Sequence, residues 1–116
     1  MSTWPVELRL DQSKTLLTVT FNSGECFSLP AEYLRVESPS AEVQGHSPDQ
    51  RQIVGGKRHV KINGLEPVGN YAVRILFGDG HDTGLYSWNY LHELGRDQPQ
   101  LWNRYLRALR ERGLQR

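Results

Sequence analysis

The chain has 116 residues, with 14 Lys and Arg against 13 Asp and Glu and a single cysteine. That length suits one domain with its own core, and the near-balanced charge argues against a dedicated polyanion binder. No apolar run approaches the roughly 20 residues that cross a bilayer, no charged leader opens the chain, and one cysteine excludes an internal disulfide. A cytoplasmic protein with neither membrane nor nucleic-acid partners is expected.

Val6–Leu10 alternates apolar and polar residues, the period of a half-buried strand. Asp11–Lys14 has turn chemistry, Leu16–Phe21 is β-branched and strand-like, and Asn22–Glu25 turns the chain into a third strand at Cys26–Leu29. Ser28–Leu34 reads as a short helix with Pro30 in its first turn, where the missing N–H costs little. From Val36 to Gly56 periodicity disappears, with a turn expected at His46-Ser47-Pro48-Asp49. A loop of that length is usually functional or mobile.

Lys57–Ile62 is expected to open another strand that Gly64 and Pro67 interrupt. Ala72–Phe77 is the most apolar strand, and Asp79-Gly80 after it predicts a two-residue type I′ turn with positive φ at both positions. Ser87 is placed to cap a helix over Trp88–Leu94, with Gly95 ending it. Asp97 and Gln100 have capping-box spacing, and Pro99 lies in the first turn of a last helix over about 98–112. At about 100° per residue, Leu101, Trp102, Tyr105, Leu106 and Leu109 share one face, opposite Arg104, Arg107, Arg110 and Glu111. The expected fold is α+β: a small antiparallel meander with hairpins, short helices and a C-terminal amphipathic helix packed on the sheet. No internal repeat is visible, and residues 1–116 form a single domain.

The glycines of Gly78-Asp79-Gly80-His81-Asp82-Thr83-Gly84 look superficially like a phosphate loop. The GxxxxGK[ST] order is missing and a strand follows, so hairpin geometry is the better reading. His46, His59, His81 and His92 are scattered, without the close helical pairing of metal ligands. Between Asp79 and Asp82, His81 suits either a carboxylate-rich site or an exposed turn. Cys26 has no histidine nearby in sequence, and no serine sits in a GxSxG elbow. Lys57-Arg58-His59, Lys61 and the arginines of the last helix are read as solvated charge before nucleic-acid contacts. Tyr71, Tyr86, Trp88, Tyr90, Trp102 and Tyr105 are expected to pack between sheet and helices, exposed members marking a partner surface.

The string from Glu66-Pro67-Val68-Gly69-Asn70-Tyr71 through Asp79-Gly80-His81-Asp82-Thr83-Gly84 to Tyr86-Ser87-Trp88-Asn89-Tyr90-Leu91 resembles the gamma-butyrobetaine hydroxylase N-terminal-like domain. The strands from Pro5 to Leu29 and the segment Leu34–Glu42 look like the same family, so the resemblance runs to about Leu94. It implies a small α+β domain, here a stand-alone member of bacterial type. In the hydroxylases a catalytic domain using iron and 2-oxoglutarate follows; no such domain is expected here, so the activity is not carried over. The resemblance also implies a structural zinc module of three cysteines and one histidine. Those positions fall on Ser38, Ser40, Val43 and His81. Hydroxyls are poor zinc ligands and valine is none, so the Cys3His site cannot form. His46, Glu42 and Asp82 are the nearest substitutes beside His81. Similar domains also occur appended to P-loop ATPases that resemble iron–sulfur carriers, which implies an accessory role in iron or iron–sulfur metabolism.

The expected function is a non-enzymatic accessory or protein-interaction domain with a protein partner, its cofactor unspecified. The alternative is a zinc- or iron-binding protein using His81 with non-cysteine ligands. A third reading is an enzyme whose Val36–Gly56 loop lies as a lid over the hairpin. Gly78, Asp79, Gly80, Gly84, Ser87 and Trp88 are expected to shape the turn and the helix entry.

Overall fold

The computed structural model describes residues 3–45 and 51–116. Strands β1 (Pro5–Leu10), β2 (Leu16–Phe21) and β3 (Cys26–Pro30) form an antiparallel sheet with β2 in the centre. The alternation of β2 turns Leu17, Val19 and Phe21 into the core. Helix α1 (Ala31–Val36) starts one residue after Pro30, which is extended at φ −62° and ψ 146°. Proline thus precedes the helix, and Ser28 and Leu29, expected in it, belong to β3. Pairing of Leu29 with Leu17 and of Pro30 with Leu16 holds them in the ladder. Cys26 lies exposed on that strand.

The segment expected to be an irregular loop contains a short helix, α2 (Ala41–Gln44), whose N-terminus is capped by Ser40 accepting from the Glu42 N–H at 3.2 Å. The turn expected at His46–Asp49 falls outside the described residues. Lys57–Val60 is a turn closed by Val60 N–H to the Lys57 carbonyl at 3.1 Å, so no strand begins there. Strand β4 (Ile62–Val68) begins later and runs through Gly64 and Pro67. It is an edge strand, where a missing N–H is tolerated. It pairs with β5 (Ala72–Phe77), which also pairs with β6 (Leu85–Ser87).

The Asp79-Gly80 turn is not type I′. Gly80 is at φ 91°, whereas Asp79 has no positive φ. Gly80 N–H donates to the Phe77 carbonyl at 3.1 Å, and Phe77 N–H donates to the His81 carbonyl at 3.0 Å. This is a three-residue turn ending in a glycine bulge, and it needs only one left-handed residue.

Ser87 caps α3 (Trp88–Arg96) by accepting from the Tyr90 N–H at 3.1 Å, and the Trp88 indole N–H donates to the Asn70 carbonyl at 2.7 Å. Gly95 does not end this helix but lies inside it, because the Phe27 ring occupies its side-chain position. A Cβ there would stand 2.3 Å from Phe27 Cγ. The last helix, α4 (Gln98–Glu111), has Pro99 in its first turn. The expected capping box is absent, since the Asp97 carboxylate turns to Arg96 at 3.0 Å. Leu101 and Trp102 of α4 pack on the main core, while Tyr105 and Leu109 close a smaller cluster with Val36.

The order β1-β2-β3-α1 recurs as β4-β5-β6-α3, a repeat that the sequence reading missed. Middle strands ending in Phe21 and Phe77 lead into the bulge glycines Gly24 and Gly80, at φ 94° and 91°. The helices then carry Tyr33-Leu34 and Tyr90-Leu91 at matching places. Tyr33 donates its hydroxyl to the Leu94 carbonyl at 2.7 Å, and Tyr90 donates to that of Glu37. Each half therefore satisfies a tyrosine of the other.

Candidate functional site

His81 follows the bulge at Gly80, and Ser38 follows the end of α1. Their elements bring Ser38 Oγ to 2.8 Å from His81 Nε2. On the other side of the ring, Nδ1 is 3.1 Å from Oε2 of Glu42 on α2. A carboxylate only accepts, so Nδ1 carries the proton and Nε2 accepts from the Ser38 hydroxyl. Ser38 Oγ in turn accepts from the Ser40 N–H at 3.2 Å, and Ser40 Oγ lies 2.7 Å from Thr83 Oγ1. Ser38 is 0% exposed and His81 6%. Burial pushes the His81 pKa down, helped by the nearby Arg35 guanidinium, while Glu42 pulls it up; the net downward shift favours the neutral ring.

Glycine is required beside this pair. A Cβ on Gly84 would stand 2.6 Å from Ser38 Oγ and 3.1 Å from Tyr86 Cε1. Asp79 braces the turn from below. Its Oδ1 accepts from the His81 N–H at 3.1 Å, and its Oδ2 meets Arg35 Nε at 2.9 Å and Lys57 Nζ at 2.6 Å. Burial raises the Asp79 pKa, but Lys57, the His81 N–H and Arg35 outweigh it and hold the carboxyl at about 2. Gly78 lies in the same turn, where its N–H donates to the Lys61 carbonyl at 2.7 Å.

Ser38, His81 and Glu42 are connected in the order hydroxyl, imidazole, carboxylate, the relay of acyl-transfer enzymes. The surroundings differ from such a site. Ser38 Oγ is enclosed by Gly84, Tyr86 and the Ser40 N–H, which leaves no space beside it for a substrate carbonyl. A zinc ion fits no better. The Ser38–His81 bond fills the space between two family ligand positions, and Val43, at a third, is buried and apolar. Among the described residues no three His, Cys, Asp or Glu side chains are grouped to hold a metal. Of the substitutes considered for His81, Glu42 reaches it, Asp82 is exposed, and His46 lies outside the described residues. His92 sits apart, with Nε2 2.8 Å from Glu25.

A second polar cluster lies behind α1. Glu37 is 2% exposed, with Arg51 Nη2 at 2.8 Å and Arg104 Nη2 at 3.7 Å. Burial raises its pKa even so. Tyr90, on the same wall, is pushed up to about 12, by burial first and then by the Glu37 charge. No short-range sequence pattern signals this cluster or the Arg35–Asp79 pair, because both join residues remote in the chain.

Among the described residues no helix is long and apolar enough to cross a membrane. Residues 8–92 match the family model described as gamma-butyrobetaine hydroxylase-like, N-terminal. Two proteins with NMR solution structures are similar over almost the whole chain. One is 45% identical with a TM-score of 0.85, the alignment covering 99% of this chain and 86% of that one. The other is 42% identical with a TM-score of 0.86, covering 100% and 91%. A crystallised protein of unknown function from Acidithiobacillus ferrooxidans, of the DUF971 family, is 40% identical with a TM-score of 0.66, covering 78% of this chain and 91% of that one. No match was found among curated proteins.

Proposed function

The chain belongs to the gamma-butyrobetaine hydroxylase-like N-terminal family, and from that premise we propose that it is a non-enzymatic accessory domain acting by contact with a protein partner. The observation that carries this reading is the closure of the relay-like cluster at His81. Ser38 and His81 satisfy each other out of reach of solvent, so the cluster fastens α1 and α2 to the β5–β6 turn. A buried polar network whose members are all paired rigidifies a fold and fixes its surface. That surface is then what the domain offers.

The metal-binding alternative draws no support from the donor set, since both ring nitrogens of His81 are engaged. The test is capture of the intact chain, with crosslinking, from cells that carry it at natural expression. One reproducible, stoichiometric protein partner is the expected result, and none across replicates overturns the proposal. Metal analysis after anaerobic exposure to zinc or iron runs alongside. Stoichiometric metal in the wild type that is lost in His81→Ala would replace this reading with the metal-binding one.

A further inference from the structure

Two clefts adjoin on the face formed by the 56–61 turn, the end of α4 and the last residues. One, of about 520 Å³, lies between that turn and Gly78-Asp79; the other, of about 700 Å³, lies along α4. Arg58 and Arg116 line both, so the clefts adjoin at these two side chains and together make up a trough. Its charge is segregated in a way the balanced composition conceals. Lys57, Arg58, Lys61, Arg107, Arg110 and Arg116 line it against a single acid, Asp79, which is already held by Lys57 and Arg35.

The cations differ in how free they are. Lys57 is engaged by Asp79, and Arg116 by Glu32 at 2.8 Å. Arg58, Lys61, Arg107 and Arg110 are exposed and have no carboxylate partner among the described residues. Between them the trough shows apolar surface at half-buried Leu106 and at Leu114, which is 43% exposed, above the buried Leu109. Unpaired like charges around exposed apolar surface favour a ligand that neutralises the one and covers the other.

We propose that this trough is the docking surface for a partner peptide segment in which leucine-like side chains alternate with carboxylates. The inference rests on the reading of the domain as an interaction module and names the chemistry of its partner. No Phe, Tyr or Trp lines either cleft and His59 is the one ring in the lining, so the row of stacking platforms that single-stranded nucleic acid uses is missing, whereas the leucines suit a peptide. The arginines supply planar donors for carboxylates at the rim.

The probes are a short fluorescent peptide of alternating leucine and glutamate, its leucine–lysine and all-glutamate counterparts, and oligothymidylate. Anisotropy reads affinity, and amide shifts of the isotope-labelled chain read location. Saturable binding of the leucine–glutamate peptide is expected, with shifts centred on Arg58, Leu106 and Arg110. The all-glutamate peptide should bind more weakly and the lysine peptide not at all. The double variant Arg107→Glu, Arg110→Glu should stay folded, its melting temperature lowered only by the few degrees that acids in the last turns of α4 cost, and lose about tenfold or more in affinity. Absence of saturable binding, shifts elsewhere, unchanged affinity of the double variant, or tighter binding of oligothymidylate would each overturn the assignment. If the double variant still captures the natural partner as wild type does, the trough is wrong and the interaction reading stands. If wild type captures none, that reading fails instead, whatever the peptide does.

Discussion

Replacing His81 with alanine should destabilise the fold through the hydroxyl it abandons. Ser38 Oγ is fully buried, and it bonds His81 Nε2 at 2.8 Å. Leaving its hydroxyl proton without an acceptor costs about 1–3 kcal/mol. Losing the buried imidazole, whose centroid lies 6.0 Å from that of Phe77, raises the total to roughly 2–4 kcal/mol. Ser38→Ala breaks the same bond from the other end and should cost about 1–3 kcal/mol. Glu42→Gln should differ sharply. The Glu42 side chain is 63% exposed, so its contact with His81 is worth less than about 1 kcal/mol. The assay is urea unfolding followed by tryptophan fluorescence, with a double-mutant cycle for Ser38 and His81 returning a coupling of about 1–2 kcal/mol. If Glu42→Gln costs as much as His81→Ala, or His81→Ala stays within about 0.5 kcal/mol of wild type, the cluster does not fasten the fold and the reasoning fails.

Stability should also fall on acidification through the His81 window. Its folded pKa lies below the ordinary 6.5, so the unfolded chain binds the extra proton first. Its contribution is complete above about 6.5 and declines as pH drops toward the folded value, with a slope of at most about 1.4 kcal/mol per pH unit. Unfolding series for wild type and His81→Phe across that range check it, and an equal slope in both refutes the assignment. Asp79→Asn should cost a few kcal/mol, near the low end of the roughly 3–5 kcal/mol for breaking a buried pair, because it strands the largely buried Arg35. A melting temperature unchanged by that substitution would count against the brace. Gly95→Ala should destabilise by about 1–3 kcal/mol despite alanine's better helix propensity, since the Phe27 ring occupies the methyl's place. Adding Phe27→Leu should recover part of the loss in a thermal melt, and a neutral single substitution would show that the ring yields.

Most strands could be read because β2 and β5 carry buried alternation that local chemistry does not interrupt. Elements failed where a local signal pointed the wrong way. Pro67 and Gly64 break a strand pattern, yet β4 lies at a sheet edge and tolerates both. Gly95 looks like a helix stop, yet α3 continues because packing against Phe27 requires a glycine there. α2 is only four residues long, too short for periodicity to register. At the site, the family pattern brought Ser38 and Ser40 into question together with His81, and the fold does join Ser38 to His81. That their meeting would be a sealed hydrogen bond depends on Gly84 and Tyr86 closing over it, a property of the assembled interior. The trough was hidden for the same reason. Its cations come from a turn and a helix that lie far apart in the chain.

The exchanged tyrosines bear on how the molecule comes apart. Tyr33 and Tyr90 each place a hydroxyl on a backbone carbonyl of the opposite half, so neither three-stranded sheet with its helix is a finished folding unit. Separated, each half would keep its strand ladder and lose the acceptor for a tyrosine that is buried or nearly so. The halves therefore stand to each other as subunits whose association the chain has made intramolecular. Cutting the connection would turn a unimolecular folding reaction into one that depends on the concentration of both pieces.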